Sequence, residues 1–170
     1  MIIGRVLVGE GNHAVGIMQM RGAMETLVET GGELIHCYAL SLLAEAHLAA
    51  REVEKGLAIV SDALGRIKTS GQHLHEAEIW RLRGELNVLK GTGCAAEAER
   101  SFRRAIQVAH AQQARSWELR GATSLGRFLY VHGRCAEARS VLAPVIASVS
   151  EGRQTADFKD AAVLMAELEE

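Results

Sequence analysis

A repeat of about 40 residues constrains this chain more than any other feature. Small residues open apolar segments at Gly16, Gly56, Ala98 and Ala138, with steps of 40, 42 and 40 residues between them. A second set of small residues precedes the first by 12 or 14 positions: Gly4, Ala44, Gly84 and Gly126. Self-similarity at this spacing is typical of stacked helical hairpins, none of which can bury its apolar face alone.

Composition favours helices and excludes several classes of protein. The chain has 170 residues, 48% of them apolar, and a single proline, so long helices are favoured over strands. Its 19 basic and 21 acidic residues form no basic stripe, so we expect no nucleic-acid surface. Without a signal peptide, or an apolar run of the roughly 18 residues that a membrane span requires, we expect no membrane partner. The three cysteines are far apart and indicate reduced thiols in a cytoplasmic protein.

The predicted hairpins resemble the tetratricopeptide (TPR) repeat. The third copy matches that pattern most fully, with Trp80, Gly84, Ala98, Phe102 and Ala105. The period is 40–42 residues rather than the 34 of the TPR pattern. We therefore predict an all-α fold, a right-handed superhelical solenoid of about four helix-turn-helix repeats plus a C-terminal helix. The single domain, 1–170, would have repeats at about 1–31, 32–71, 72–114 and 115–152, and a terminal helix at 155–169.

A narrower resemblance is to the carboxy-terminal repeats of large bacterial signalling proteins. Residues 76–86, 96–129 and 133–145 look like that region, which follows an ATPase module and often a class III nucleotide cyclase domain. The repeats of the maltose-regulon type of transcriptional activator are a looser relative. These resemblances imply a sensor or docking region. The chain contains no Gly-Lys dipeptide, and hence no phosphate-binding loop of the G-x-x-x-x-G-K-[ST] type.

The TPR resemblance also implies which side chains line a concave groove. Up to four positions of a first helix should point inward, and in the second, third and fourth copies we select Tyr38, Ser41, Glu45, Glu78, Arg81, Glu85, Arg120, Thr123, Arg127 and Tyr130. Arginine and tyrosine are the residue types that most often anchor a partner. The alternative is a solvated polar face crossed by local ion pairs.

Other candidate sites are weaker. An anion site at the arginine cluster would use Arg81, Arg83, Arg100, Arg103 and Arg104, but interleaved glutamates favour neutralisation within the helix pair. A metal site would need His73, His75 and Cys94. The two histidines are two positions apart, which does not place both imidazoles on one helix face. We expect no catalytic residue, no metal and no cofactor.

The sequence thus predicts a non-catalytic protein–protein interaction or regulatory module of a bacterial signalling protein. It would bind a peptide or a neighbouring domain in its concave groove. Two alternatives stay open: a small-molecule effector-sensing domain and a self-assembly module. For a homo-oligomer, the expected contact surface is the first hairpin, through Val6, Val8, Ile17 and Met18.

Overall fold

The computed structural model describes residues 1–29 and 35–169, and these residues form nine α-helices and no strand. The helices are α1 (Ile2–Gly9), α2 (His13–Glu29), α3 (His36–Ala49), α4 (Val53–Ser70), α5 (Glu76–Lys90), α6 (Ala95–Ala111), α7 (Arg115–Val131), α8 (Cys135–Ser148) and α9 (Ala156–Glu169). Helices α1 to α8 pack as four successive pairs, and α9 packs against α7 and α8. The all-α prediction is confirmed. Gly31 and Gly32, two consecutive glycines that predict a helix break, lie outside the described residues.

Small residues allow the paired helices to touch. All eight of the repeating glycines and alanines are buried. A Cβ atom on Gly4 would lie 2.6 Å from the carbonyl oxygen of Gly16, and a Cβ atom on Gly16 equally close to the carbonyl oxygen of Gly4. Since real Cβ atoms essentially never approach so closely, the contact of α1 with α2 requires both glycines.

The hydrophobic core continues from one pair to the next. Gly56 of α4 packs against the side chain of Leu86 in the following pair, and Gly126 of α7 packs against Leu164 of α9. Both leucines are fully buried. Each hairpin therefore buries its apolar face against a neighbour, which is how a solenoid gains stability.

Four helix ends share one turn geometry. In each, the second residue after the helix has positive φ: Gly11 (86°), Arg51 (57°), Gln113 (54°) and Gly133 (74°). The amide of that residue and the next amide donate to carbonyls three and five positions back, as in Arg51 to Leu48 and Glu52 to His47. This is the Schellman arrangement, which satisfies the last carbonyls of a helix. At Gly133 the residue type itself predicts such a left-handed end, and the structure has it there.

The two faces of the solenoid differ in how closely the helices approach. The first helices contact one another in series, α1 to α3, α3 to α5 and α5 to α7. The second helices α2, α4, α6 and α8 make no comparable contacts with one another, and clefts open on their side of the described structure. We call the side of the first helices the inner face and the side of the second helices the outer face. Within the described residues, no helix is long and apolar enough to cross a membrane.

Candidate functional site

The centre of the inner face is a charge network built around one buried carboxylate. Glu78 is only 4% exposed. The guanidinium of Arg81, one turn later on α5, donates to both its oxygens, at 2.9 Å from Nε and 2.8 Å from Nη2. Burial lowers the pKa of Arg81, but hydrogen bonds to Glu78 and its charge outweigh burial and raise it. These two charge-assisted hydrogen bonds fix the pair in position.

The same network joins α5 to α7. Arg81 Nη1 lies 3.3 Å from Glu85 and 3.5 Å from the hydroxyl of Ser124. Ser124 in turn donates to Glu85 over 2.6 Å. Because Ser124 lies on the following helix pair, these bonds fix the spacing between two adjacent first helices.

Arg120 of α7 extends the network to α3 and α9. Its guanidinium lies 3.1 Å from Glu78, 3.8 Å from Asp157 and 3.9 Å from Glu45. Glu45 also contacts Arg5 of α1 at 3.7 Å. A continuous series of ion pairs therefore crosses the inner face from α1 to α9. Arg120 takes part in three of these pairs.

The structure separates the ten residues predicted for the groove into three groups. Glu45, Glu78, Arg81, Glu85 and Arg120 form the network just described. Ser41 and Thr123 are buried, and each hydroxyl donates to a carbonyl of its own helix, that of Tyr38 at 2.7 Å and that of Leu119 at 2.8 Å. Tyr38, Tyr130 and Arg127 are exposed, and Arg127 pairs with Asp160 of α9.

An aromatic row lies beside the network, and sequence reasoning missed two of its members. The Tyr38 ring is 5.0 Å from that of His75, which is 6.1 Å from that of Trp117. The Arg120 guanidinium stacks over Trp117 at 5.2 Å. His75 and Trp117 each stand nine residues before the small residue of their repeat, Gly84 and Gly126. That shared position is the signal that could have identified them.

Clefts that the sequence did not reveal open on the outer face, among the described residues. Three of them have volumes of about 750 Å³ between α2 and the α3–α4 turn, 620 Å³ between α4 and α5, and 550 Å³ between α6 and α8. The middle cleft has apolar walls from Leu57 and Leu64 and a floor that includes Trp80 and Arg83. Each cleft also contains a histidine paired with a glutamate: His47 with Glu52, His73 with Glu76, and His110 with Glu118.

The weaker candidates carry no distinct site. Each of the five clustered arginines lies within 3.5 Å of a glutamate, which confirms that the cluster is neutralised locally. Of the metal candidates, His73 bonds to Glu76 and His75 stacks on its aromatic neighbours. Across 1–29 and 35–169, no group of three or more His, Cys, Asp or Glu side chains is arranged to hold a metal ion.

The surface expected on the first hairpin is partly wrong. Val6 and Met18 are exposed, at 55% and 66%. Val8 and Ile17 instead belong to the core that joins this hairpin to α3. They lie one helical turn after Gly4 and directly after Gly16, where the close approach of α1 and α2 buries them.

Comparison with solved structures supports the TPR-like architecture. The chain is similar to the nearly identical TPR-like repeats of a kinesin light chain-like protein from Podosopora anserina, with a TM-score of 0.68 at 16% sequence identity. The match covers 98% of this chain and 82% of that one. A point variant of the same repeats gives 0.71 at 14% identity, over 98% and 81%. No family model matches the sequence, and no curated protein is significantly similar to it. At these identities the likeness shows the fold, a TPR-like helical solenoid.

Proposed function

We propose that this chain is a non-catalytic protein-interaction module that binds a peptide or a neighbouring domain along its inner face. The observation that carries this proposal is the fixed pair of arginines, Arg81 and Arg120, held by the buried carboxylate of Glu78. A guanidinium that is already oriented loses little side-chain entropy when a partner binds. Arginine also offers five donors in a plane, so Arg120, whose side chain is 25% exposed, can hold a partner and retain its bond to Glu78, while the buried Arg81 fixes that carboxylate in place.

The chemistry of the inner face favours a partner segment that carries a carboxylate. The contacts of Arg120 with Glu45 and Asp157 are long, at 3.9 and 3.8 Å, and ion pairs of this kind contribute little. A carboxylate of the partner can replace either of them. The half-exposed ring of Tyr38 and the row behind it offer apolar contact beside that charge.

To test this proposal, peptides that bind the immobilised chain are selected from a displayed random library, and their affinities are then measured. We expect the substitution Arg120→Ala to weaken binding of the selected peptides at least tenfold, because it removes the shared guanidinium. The control Arg139→Ala removes an exposed arginine from α8 on the outer face and should leave binding unchanged. Peptides that lose affinity with Arg139→Ala but not with Arg120→Ala would contradict the proposal.

We further propose that the module belongs to a cytoplasmic bacterial signalling protein with an ATPase or cyclase region. Support comes from the resemblance of residues 76–86, 96–129 and 133–145 and from the three free cysteines. In such a protein, a partner on the inner face would bias the attached module by favouring one arrangement of the repeats. The gene sequence that flanks this segment tests this context directly.

A second candidate function is the binding of a small molecule in the cleft between α4 and α5. Its volume of about 620 Å³ and its apolar walls with a few polar groups match ordinary ligand pockets. A metabolite screen by thermal shift tests this candidate. Leu57→Trp fills the cleft and should abolish any shift, whereas a shift that survives this change would place the ligand elsewhere.

A further inference from the structure

The exposed face of α1 carries an apolar stripe, formed by Ile2, Ile3 and Val6. These side chains are 79%, 70% and 55% exposed. Together they present roughly 400 Å² of apolar surface, a patch size that on soluble proteins often marks an interaction site. A charged side chain on α1, Arg5, is directed to Glu45 of α3.

The repeat shows what kind of contact these positions make. Ile2 and Ile3 lie two residues and one residue before the small residue Gly4, and Val6 lies two residues after it. The equivalent positions of the later first helices are mostly apolar and buried, as at Leu42, Leu43, Ala46, Leu82, Leu86, Leu125 and Phe128. Several of these side chains pack against the preceding helix pair, for example Leu42 and Leu43 in the cluster with Met20, and Leu86 on Gly56. The stripe on α1 is therefore built for contact with helices.

The opposite end of the molecule does not match this stripe. Helix α9 covers the last pair with Leu164 and Leu168, which are buried. Its outward positions are mainly charged or small, including Asp157, Lys159 and Glu167, and Val163 is its one strongly exposed large apolar residue among those described. Stacking of one copy end to end on the next would place the apolar stripe against charges.

We propose that two copies of this chain pair through their α1 stripes about a two-fold axis. This inference is independent of the function proposed for the inner face. A like-to-like contact places apolar side chains of one copy on those of the other and brings no charge of the stripe into the interface. Two stripes of roughly 400 Å² each bury at most about 800 Å² of apolar surface, just under the lower limit of about 1,000 Å² for specific interfaces, so we expect a weak dimer.

Sedimentation equilibrium over a hundredfold range of protein concentration, from low to high micromolar, tests the dimer. The apparent mass of the unaltered chain should rise from 18.4 kDa towards twice that value with concentration. Ile3→Glu should stay at the monomer mass at every concentration. The control Val163→Glu changes an exposed apolar residue on α9 and should associate as the unaltered chain does. Both substitutions are at exposed positions, and circular dichroism checks that each variant is folded; Val6→Glu replaces Ile3→Glu if the latter unfolds.

A charge-pairing experiment tests the two-fold arrangement itself. Ile3→Glu and Ile3→Lys should each be monomeric alone, because like charges would meet across the axis. An equimolar mixture should recover the association of the unaltered chain. A monomer at the highest concentration for the unaltered chain, a mixture that stays monomeric, equal effects of Ile3→Glu and Val163→Glu, or assembly beyond the dimer would each overturn the proposal. If the unaltered chain stays monomeric at the highest concentration, the stripe instead contacts a helix of another protein or segment.

Discussion

At the scale of the residue, the four Schellman turns differ in one side chain that decides their strain. Gly11 and Gly133 adopt positive φ without cost, whereas Arg51 and Gln113 carry a Cβ atom in the same backbone region. The left-handed conformation costs a residue with a Cβ roughly 1 kcal/mol or more. The two turns without glycine therefore carry backbone strain that the two glycine turns do not.

Arg51→Gly should raise the free energy of unfolding by about 1 kcal/mol, because it removes this strain at an exposed position. The reverse change, Gly133→Ala, should lower it by about as much. No atom lies within 4 Å of a Cβ placed on Gly133, so its effect reports the backbone alone. Urea denaturation of both variants measures the difference. Effects of the same sign in the two variants would contradict this account of the turns.

His47 is a second residue whose environment has a measurable consequence. Its side chain is 1% exposed, Nδ1 lies 2.6 Å from Glu52, and Nε2 is buried without a hydrogen-bond partner in the structure. Burial lowers the pKa of His47, and the nearby carboxylate of Glu52 only partly offsets this. The folded protein therefore holds this histidine neutral to a lower pH than the unfolded chain does.

The stability that His47 contributes should be present above its unfolded pKa of about 6.5 and should be lost as the pH falls below that value. We expect the free energy of unfolding to fall as the pH drops from about 7.5 to about 5.5, with at most about 1.4 kcal/mol per pH unit from this one group. His47→Gln cannot take up the proton and should show a shallower slope. Urea denaturation at several pH values measures it, and an unchanged slope would rule out His47 as the source.

Residue types predicted some of these details and not others. Gly133 indicates a left-handed helix end because glycine favours that region. Arg51 and Gln113 carry no such signal, since arginine and glutamine are ordinary helix residues. Their conformation follows from the hairpin geometry, which the repeat imposes on whichever residue occupies the position.

At the scale of the element, the repeating small residues set the distance between paired helices. Gly16→Ala should lower the free energy of unfolding by about 2 kcal/mol, because its Cβ would clash with the backbone of α1, which cannot rotate away as a side chain can. The control is Gly22→Ala on the same helix. Gly22 is exposed and open around its Cβ, so that change should stabilise by up to about 1 kcal/mol. Chemical denaturation of the two variants gives both values, and a neutral Gly16→Ala would contradict the packing described.

The helices and their pairing could largely be predicted from the sequence. Small residues at a fixed period indicate which helices pair. Thr155 marks the start of α9, because its hydroxyl accepts a hydrogen bond from the amide of Phe158 at 3.4 Å. The clefts of the outer face could not be predicted from the sequence. They result from the angle between successive pairs, which depends on how side chains from different repeats pack.

At the scale of the whole molecule, the charge network links the inner face across several repeats. Removing the carboxylate of Glu78 would leave Arg81 largely buried without its main partner. We therefore expect Glu78→Gln to lower the free energy of unfolding by about 3 kcal/mol. Glu85→Gln removes a partner whose side chain is 31% exposed and should cost less than about 1 kcal/mol. Equal losses in the two variants, measured by urea denaturation, would show that burial of Glu78 does not matter.

The network also marks the limit of sequence reasoning about the site. Glu78, Arg81 and Glu85 lie on one helix, and their spacing indicates local ion pairs. Nothing in that spacing indicates that Arg120, 42 residues after Glu78, shares the same carboxylate or reaches Asp157 of α9. Those contacts exist only once the hairpins have stacked.

A crystal structure of the chain bound to one of the selected peptides tests the central claim most directly. We predict four helix pairs stacked in series, with the peptide lying along the inner faces of α3, α5 and α7 and a peptide carboxylate on Arg120. A peptide in the outer clefts, or helices closed into a bundle without an inner face, would contradict it.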